Sequence, residues 1–158
     1  MRAHDIMRSS FATVKPGTAL VDAARLLLET NQRGLPVVDD NGDLIGIISE
    51  GDLLHRDELG VRASAGNWLG EIMGIEEGGP ARERMSALRV GTIMTPNPVC
   101  VDEDATIDDV IVAMDLRKVA QIPVVSAGTV IGLISRLELI SALERCLSQT
   151  EDKAEAAE

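Results

Sequence analysis

Two short segments of the sequence carry a serine and an acid at the same spacing, each directly after a run of aliphatic residues. Ser49 is followed three positions later by Asp52, and Ser135 is followed three positions later by Glu138. This is the spacing of a helix capping box, in which the serine hydroxyl accepts from a backbone N–H and the acid accepts from the serine N–H. Two capped helices are one interpretation of these residues.

Binding of a phosphorylated nucleoside is a second chemistry that the same residues support. Free N–H groups at a helix N-terminus and a serine hydroxyl donate hydrogen bonds to a phosphate, and a carboxylate one turn later accepts from ribose hydroxyls. Gly46 and Gly132 precede the two serines, and a glycine in a strand allows a flat ring to approach the backbone. The spacing alone leaves capping and nucleotide binding both open.

Both segments belong to an internal repeat of the chain. Sliding the sequence along itself aligns Ile6-Met7 with Ile93-Met94, and the alignment continues without a gap to Pro36 and Pro123. The register then slips by one residue within a turn, where a change of length costs little free energy. A repeat of this kind indicates two copies of one supersecondary unit. We therefore expect an α/β (α+β) fold of two β-α-β-β-α repeats related by pseudo-twofold symmetry.

The hydrophobic periodicity predicts the same elements in each repeat. A short β-prone entry is followed by a helix, because apolar residues recur at helical spacing in 20–28 and 107–114. Gly17-Thr18 and Asp104-Ala105 provide turn and capping residues directly before these helices. Two aliphatic strands follow, joined in the first repeat through Asn41-Gly42, which is a strong hairpin signal. A last helix is expected to start near each serine.

The chain divides by sequence into two repeats, a connector and a tail. We expect the repeats at residues 1–56 and 91–147, a connector with short helices at 57–90, and an acidic tail at 148–158. The connector holds Trp68, the only tryptophan. It is interpreted either as a segment folded back on the core with the tryptophan against it, or as a docking surface or lid.

Composition argues against several classes of partner and of reaction. The chain carries a net charge of −11 over 158 residues, which argues against a nucleic-acid partner and against an anionic membrane. No apolar run approaches the roughly 20 residues of a spanning helix, and the start lacks a signal peptide, so we expect a cytoplasmic protein. His4 and His55 lie beside no nucleophile pattern, and Cys100 and Cys146 lack metal-ligand spacing. We therefore predict no enzyme activity, no catalytic residue and no metal site.

The order of these motifs resembles a tandem pair of CBS domains, the Bateman module, in its stand-alone bacterial form. The resemblance rests on the Ile-Met pairs, the aliphatic-Pro-Val-Val strands at Leu35 and Ile122, and the Gly-x-x-Ser-x-x-acid elements, and it covers about residues 3–55 and 91–145. It implies a disc-like homodimer that binds an adenine nucleotide (AMP, ADP or ATP) in clefts between the domains. The ligand state would then regulate an unidentified protein partner.

The resemblance also implies roles for individual residues. The serines would bind phosphate, the acids ribose, and the backbone around each aliphatic-Pro pair the base. The second acid is Glu138 where the family prefers aspartate, and its extra methylene displaces the carboxylate. Arginine and lysine side chains near the strands and serines are candidates for neutralising the phosphate. The predicted ligand-binding residues are Arg33, Leu35, Pro36, Gly46, Ser49, Asp52, Lys118, Ile122, Pro123, Gly132, Ser135, Arg136 and Glu138.

Two alternatives to an adenine nucleotide stay open. The chain would be a ligand-free dimerisation or scaffold module if the serine–acid pairs only cap their helices, an alternative that Glu138 and the long connector favour. It would otherwise bind another adenosyl ligand, such as S-adenosylmethionine or NAD, because such ligands share the ribose contacts.

Overall fold

The computed structural model describes residues 1–54 and 87–155, with side chains as far as residue 150. Most of the predicted connector, with Trp68, and the last three residues of the predicted acidic tail lie outside these described residues. The chain forms two compact units, Ala12–Pro98 and Met1–Phe11 with Val99–Glu158. We call them the Ser49 unit and the Ser135 unit.

The order of helices and strands in the described residues follows the prediction, except that the β-prone entry of the first repeat forms only an isolated bridge, between Val14 and Val37. The helices are α1 (Ala3–Ile6), α2 (Leu20–Thr30), α3 (Glu50–Leu54), α4 (Val90–Ile93), α5 (Ile107–Arg117) and α6 (Arg136–Glu155), and the strands are β1 (Gly34–Val38), β2 (Leu44–Ser49), β3 (Thr95–Pro96), β4 (Val101–Asp102), β5 (Gln121–Ser126) and β6 (Thr129–Ser135). Among these helices, none combines the length and apolarity that a membrane span requires. The prediction of an α+β fold made of two repeats is confirmed.

The Ser49 unit contains the antiparallel sheet β1-β2-β3. Val14 lies along the outer edge of β1, where its N–H donates to the Pro36 carbonyl at 3.0 Å and its carbonyl accepts from the Val38 N–H at 2.9 Å. Alternate N–H groups of a strand point to the same side, so the nitrogen of Pro36 faces this edge and not β2. The proline therefore interrupts no hydrogen bond between β1 and β2.

The Ser135 unit contains the sheet β4-β5-β6, in which β4 is parallel and β6 antiparallel to β5. Arg8 forms a further antiparallel bridge with Leu133 on the other side of β6. The turn between β5 and β6 is Ala127-Gly128, two residues with φ of 49° and 84°. Residues 39–43 form the longer turn of the first repeat, and the one-residue slip between the repeats lies here.

The short helices α1 and α4 each join the core of one unit. Ile93 of α4 is buried with Leu35 and Ile48 in the Ser49 unit, and Ile6 of α1 is buried with Ile122 in the Ser135 unit. Residues Met1–Phe11 therefore lie in the unit that holds the second repeat, whereas the sequence places them in the first. The repeat boundaries predicted from the sequence and the compact units are two different divisions of the chain.

The two long helices of the repeats begin differently. The N-cap residues are Ala19 of α2 and Thr106 of α5, one residue later than the caps expected from the sequence. Thr106 forms a reciprocal capping box with Asp109, whereas the Ala19 side chain makes no cap hydrogen bond. One repeat therefore satisfies an N–H group at the start of its helix that the other leaves without a side-chain partner.

Candidate functional site

Ser49 and Asp52 form the capping box that their spacing predicts. The Ser49 N–H donates to Asp52 Oδ2 at 2.8 Å, and its hydroxyl donates to the same oxygen at 3.0 Å. In return the Asp52 N–H donates to Ser49 Oγ at 3.3 Å. The position of the pair follows from the fold, because Ser49 ends β2 and Asp52 lies in the first turn of α3.

Asp52 has a second partner that the sequence analysis missed. The Thr95 hydroxyl donates to Asp52 Oδ1 at 3.1 Å, so both carboxylate oxygens accept hydrogen bonds inside the Ser49 unit. Asp52 is 6% exposed and is the one buried acid among the described residues. Thr95 follows the Ile-Met pair of the second repeat, and the matching position of the first repeat is Arg8, so the repeat itself did not indicate the contact.

Ser135 and Glu138 form the matching pair at the start of α6. The Ser135 N–H donates to Glu138 Oε2 at 2.7 Å, and the Ser135 hydroxyl donates to the same oxygen. The N–H that donates to Ser135 Oγ is that of Leu137, at 3.3 Å, and not that of the acid as in the first pair. With the longer glutamate, the N–H that donates to the serine hydroxyl oxygen is therefore that of the residue before the acid. Glu138 is half-buried.

Methionine side chains fill the space beside both predicted glycines. A Cβ on Gly46 would lie 2.6 Å from the sulfur of Met94 and 3.1 Å from the Thr95 carbonyl oxygen. A Cβ on Gly132 would overlap the sulfur of Met7 in the same way. The two glycines, predicted to admit a flat ring, thus have a packing role that requires no ligand, and their contact with a ligand stays a prediction.

The aliphatic-Pro pairs are part of the two cores. Leu35 and Ile122 are fully buried, as are Pro36 and Pro123. Leu35 lies opposite Ile48 and Ile122 opposite Ile134, one residue before each serine. With their side chains committed to the core, only the backbone of these residues is available for the contact with a base that the resemblance implies.

The three predicted cations occupy three different environments. Arg33 Nη1 lies 2.8 Å from Oε1 of Glu50, the residue directly after Ser49. Lys118 is the left-handed residue that ends α5, with φ of 51°, and it is exposed. Arg136 is the first residue of α6, is exposed, and directly follows Ser135. Of the three, Arg136 is the one adjacent in sequence to a serine of the candidate site.

Comparisons with known proteins identify the family. A CBS domain model matches residues 3–58 and 90–145. The chloroplastic CBS domain-containing protein CBSX2 of Arabidopsis thaliana is 31% identical over 153 residues, which cover 92% of this chain and 63% of that protein. The chain thus spans less than two thirds of the length of this relative and of CBSX1, of which it covers 57%.

Solved structures agree with this assignment. The crystal structure of CBSX2 in complex with AMP superimposes with a TM-score of 0.69 at 32% identity, covering 92% of this chain and 97% of that one. The CBS domain pair of protein MJ0100, in complex with 5′-methylthioadenosine and S-adenosyl-L-methionine, has a TM-score of 0.66 at 21% identity and covers 91% and 96% of the two chains. The second likeness concerns the fold alone. With two matches to the CBS model spread over most of its length, the chain belongs to the CBS-domain family.

Proposed function

We propose that this chain is a regulatory module that binds an adenosyl ligand, with AMP, ADP or ATP as the expected class. One observation carries the proposal: CBSX2, about a third identical over nearly the whole chain, was crystallised with AMP. The serine–acid pairs of both units support it, because each places a hydroxyl and a carboxylate where a strand ends and a helix begins. The proposal assigns the hydroxyls to phosphate and the carboxylates to ribose.

The hydrogen bonds already made by the acids decide how a ribose is bound. Asp52 accepts from Ser49 through one oxygen and from Thr95 through the other, so a ribose hydroxyl has to share or replace these donors. A carboxylate accepts about four hydrogen bonds, which makes sharing feasible. Glu138 is less buried than Asp52 and is the more accessible of the two acids.

Regulation follows from binding by population shift. A ligand that prefers one arrangement of the chain raises the population of that arrangement, and a protein partner that contacts the chain senses the change. The homodimer and the regulated protein implied by the resemblance belong to this proposal. The chain itself is expected to show no turnover of the nucleotide.

The most direct test is a thermal-shift panel with AMP, ADP, ATP, NAD, S-adenosylmethionine and GTP. A ligand present at one hundred times its Kd stabilises a folded protein by about 2.7 kcal/mol, so we expect a clear rise in Tm for adenosyl ligands. Ser135→Ala is expected to reduce the rise, and Ser141→Ala, an exposed serine later in α6, serves as the matched control. No response to any of the six compounds would contradict the proposal.

A ligand-free scaffold is the second candidate, and two observations favour it. Each acid already accepts hydrogen bonds from its serine, and methionine side chains fill the space beside both glycines. Denaturing the purified protein and measuring the ultraviolet absorbance of the released small molecules distinguishes the candidates. The chain contains one tryptophan and no tyrosine, so the protein contributes little absorbance of its own.

A further inference from the structure

The charged residues around Ser49 and those around Ser135 differ in sign at matching positions. We call these two sets of residues, each with its serine and acid, the Ser49 group and the Ser135 group. The register places Gly34 opposite Ser49 and Gln121 opposite Ser135, so the two groups can be compared residue by residue. The residue after the serine is Glu50 in one group and Arg136 in the other. This single position exchanges an acid for a base at the start of the helix that follows the serine.

A second matching position also gains a positive charge. Thr95 lies opposite Ile47 in β2, and Arg8 forms the corresponding bridge with Leu133 in β6. The Arg8 N–H donates to the Leu133 carbonyl at 2.8 Å, and its Nε donates to the Ser10 carbonyl at 2.7 Å. Arg8 therefore stands where Thr95 stands in the Ser49 unit.

The cation of the Ser49 group is already paired with an acid. Arg33 is within 2.8 Å of Glu50, and both side chains are at least half exposed. With Asp52, this group combines one cation and two acids. The Ser135 group combines Arg8 and Arg136 with the single acid Glu138, so its net charge has the opposite sign.

We propose that the phosphate of an adenosyl ligand is bound at the Ser135 group, through Arg136 and Arg8, and not at the Ser49 group. This inference rests on the proposed function, and it assigns the phosphate specificity of the chain to one of the two repeats. A dianionic phosphate is attracted by two guanidinium groups and repelled where acids outnumber the cation, and hydrogen bonds between charged groups are the stronger ones. In a chain with net charge −11, such a local reversal is what an anionic ligand requires.

Calorimetric titration with AMP and with adenosine tests the inference, because the two probes differ only in the phosphate. We expect the wild-type chain to bind AMP more tightly than adenosine. A charged hydrogen bond contributes about 1.5 to 3 kcal/mol, so Arg136→Gln and Arg8→Gln should each weaken AMP binding at least about tenfold. Adenosine affinity should be unchanged, which shows that each variant is folded, and Arg136→Lys should retain part of the AMP preference.

Arg25→Gln is the matched control, because Arg25 is an exposed arginine of α2 that lies outside both groups and pairs with Asp22. It should leave the ratio of AMP to adenosine affinity unchanged, and Arg33→Gln tests the Ser49 group directly. The inference is overturned if the Arg8→Gln/Arg136→Gln double variant keeps the wild-type ratio, if Arg33→Gln alone removes it, or if the wild-type chain binds both probes equally. In all three cases adenosyl binding itself still stands. Failure of the wild-type chain to bind either probe would instead contradict the proposed function.

Discussion

At the scale of single residues, the side chains of the motif that the repeats share make hydrogen bonds and packing contacts within the fold that require no ligand. Each serine donates its N–H and its hydroxyl to the acid three residues later, and a methionine sulfur packs against each glycine of the motif. The identity of a motif residue therefore says little about binding by itself. The residues that distinguish the two groups, Arg8, Arg136, Glu50 and Thr95, lie beside the motif.

The packing role of Gly46 and Gly132 predicts that an added methyl group destabilises the chain at these two positions but not at a glycine with open space around it. Gly46→Ala and Gly132→Ala should each lower the free energy of unfolding by about 1 to 3 kcal/mol, as overpacking in a core does. Gly17→Ala is the control, since no heavy atom lies within 4 Å of the added Cβ. Urea unfolding measures all three variants. Equal stability of Gly46→Ala and Gly17→Ala would show that methionine packing does not require the glycine.

At the scale of elements, the two repeats use one design with local differences in helix capping and turn length. α2 and α5 occupy matching places, yet only the N-cap side chain of α5 makes a capping hydrogen bond, and the turn after β1 is longer than the turn after β5. Such differences change the stability of an element without changing its position. Exchanging the N-cap side chains between the two repeats therefore tests how much capping contributes to the stability of each helix.

Exchanging the N-cap residues should move stability in opposite directions. Thr106→Ala removes the cap of α5 and should cost about 1 kcal/mol, whereas Ala19→Thr provides α2 with a hydroxyl three residues before Asp22 and should add a similar amount. The backbone of Ala19 is already extended, with φ −68° and ψ 145°, as an N-cap requires. Urea midpoints of the two variants measure both effects. A loss of stability in Ala19→Thr would argue against a simple capping deficit in α2.

The cap of α5 also predicts a dependence on pH. The Thr106 hydroxyl, and after it the Thr106 N–H, donates to the Asp109 carboxylate and holds the pKa of this acid below its ordinary value of 3.8. A lowered pKa stabilises the folded chain above the ordinary value, and this stability is lost as the pH falls through the folded pKa. The stability difference between wild type and Thr106→Ala should therefore be constant near neutral pH and shrink below pH 3.8. Unfolding curves across the acid range measure it, and a difference that grows on acidification would contradict this origin.

At the scale of the whole molecule, the chain does not divide where the sequence repeats divide. Each Ile-Met segment belongs to the unit that holds the other repeat, because Ile6 is buried with Ile122 and Ile93 with Leu35. Because each Ile-Met segment packs in the unit of the other repeat, Arg8 pairs with β6 and Thr95 pairs with β2. This packing therefore determines which residue occupies the matching bridge next to β2 and next to β6.

This division predicts a reciprocal pattern of local stability. Ile6→Ala and Ile93→Ala each remove buried methyl groups and should cost about 2 to 5 kcal/mol. Amide hydrogen exchange should show the loss of protection mainly in β5 and β6 for Ile6→Ala and mainly in β1 and β2 for Ile93→Ala. The two variants are matched, because the isoleucines occupy the same position of the repeat. Loss of protection in β1 after Ile6→Ala, with β5 unaffected, would refute the division.

Much of the fold and of the motif was predictable from the sequence alone. Strand and helix periodicity, the hairpins and the capping boxes depend on residues close together in the chain, and the repeat supplied each of these signals twice. The family resemblance followed from the same residues. These predictions are confirmed because local hydrogen bonding and side-chain alternation are set by sequence spacing.

Only the tertiary structure decided which distant residues complete each group. The contact of Thr95 with Asp52, the place of Arg8 beside Leu133, and the methionines that fill the space beside the glycines all join segments far apart in sequence. Repeat spacing does not specify them, because each Ile-Met segment has two matching sheets onto which it could fold. The choice between those sheets is made by core packing over the whole unit. It brings the Thr95 hydroxyl to Asp52 and places Arg8 at the matching bridge beside β6.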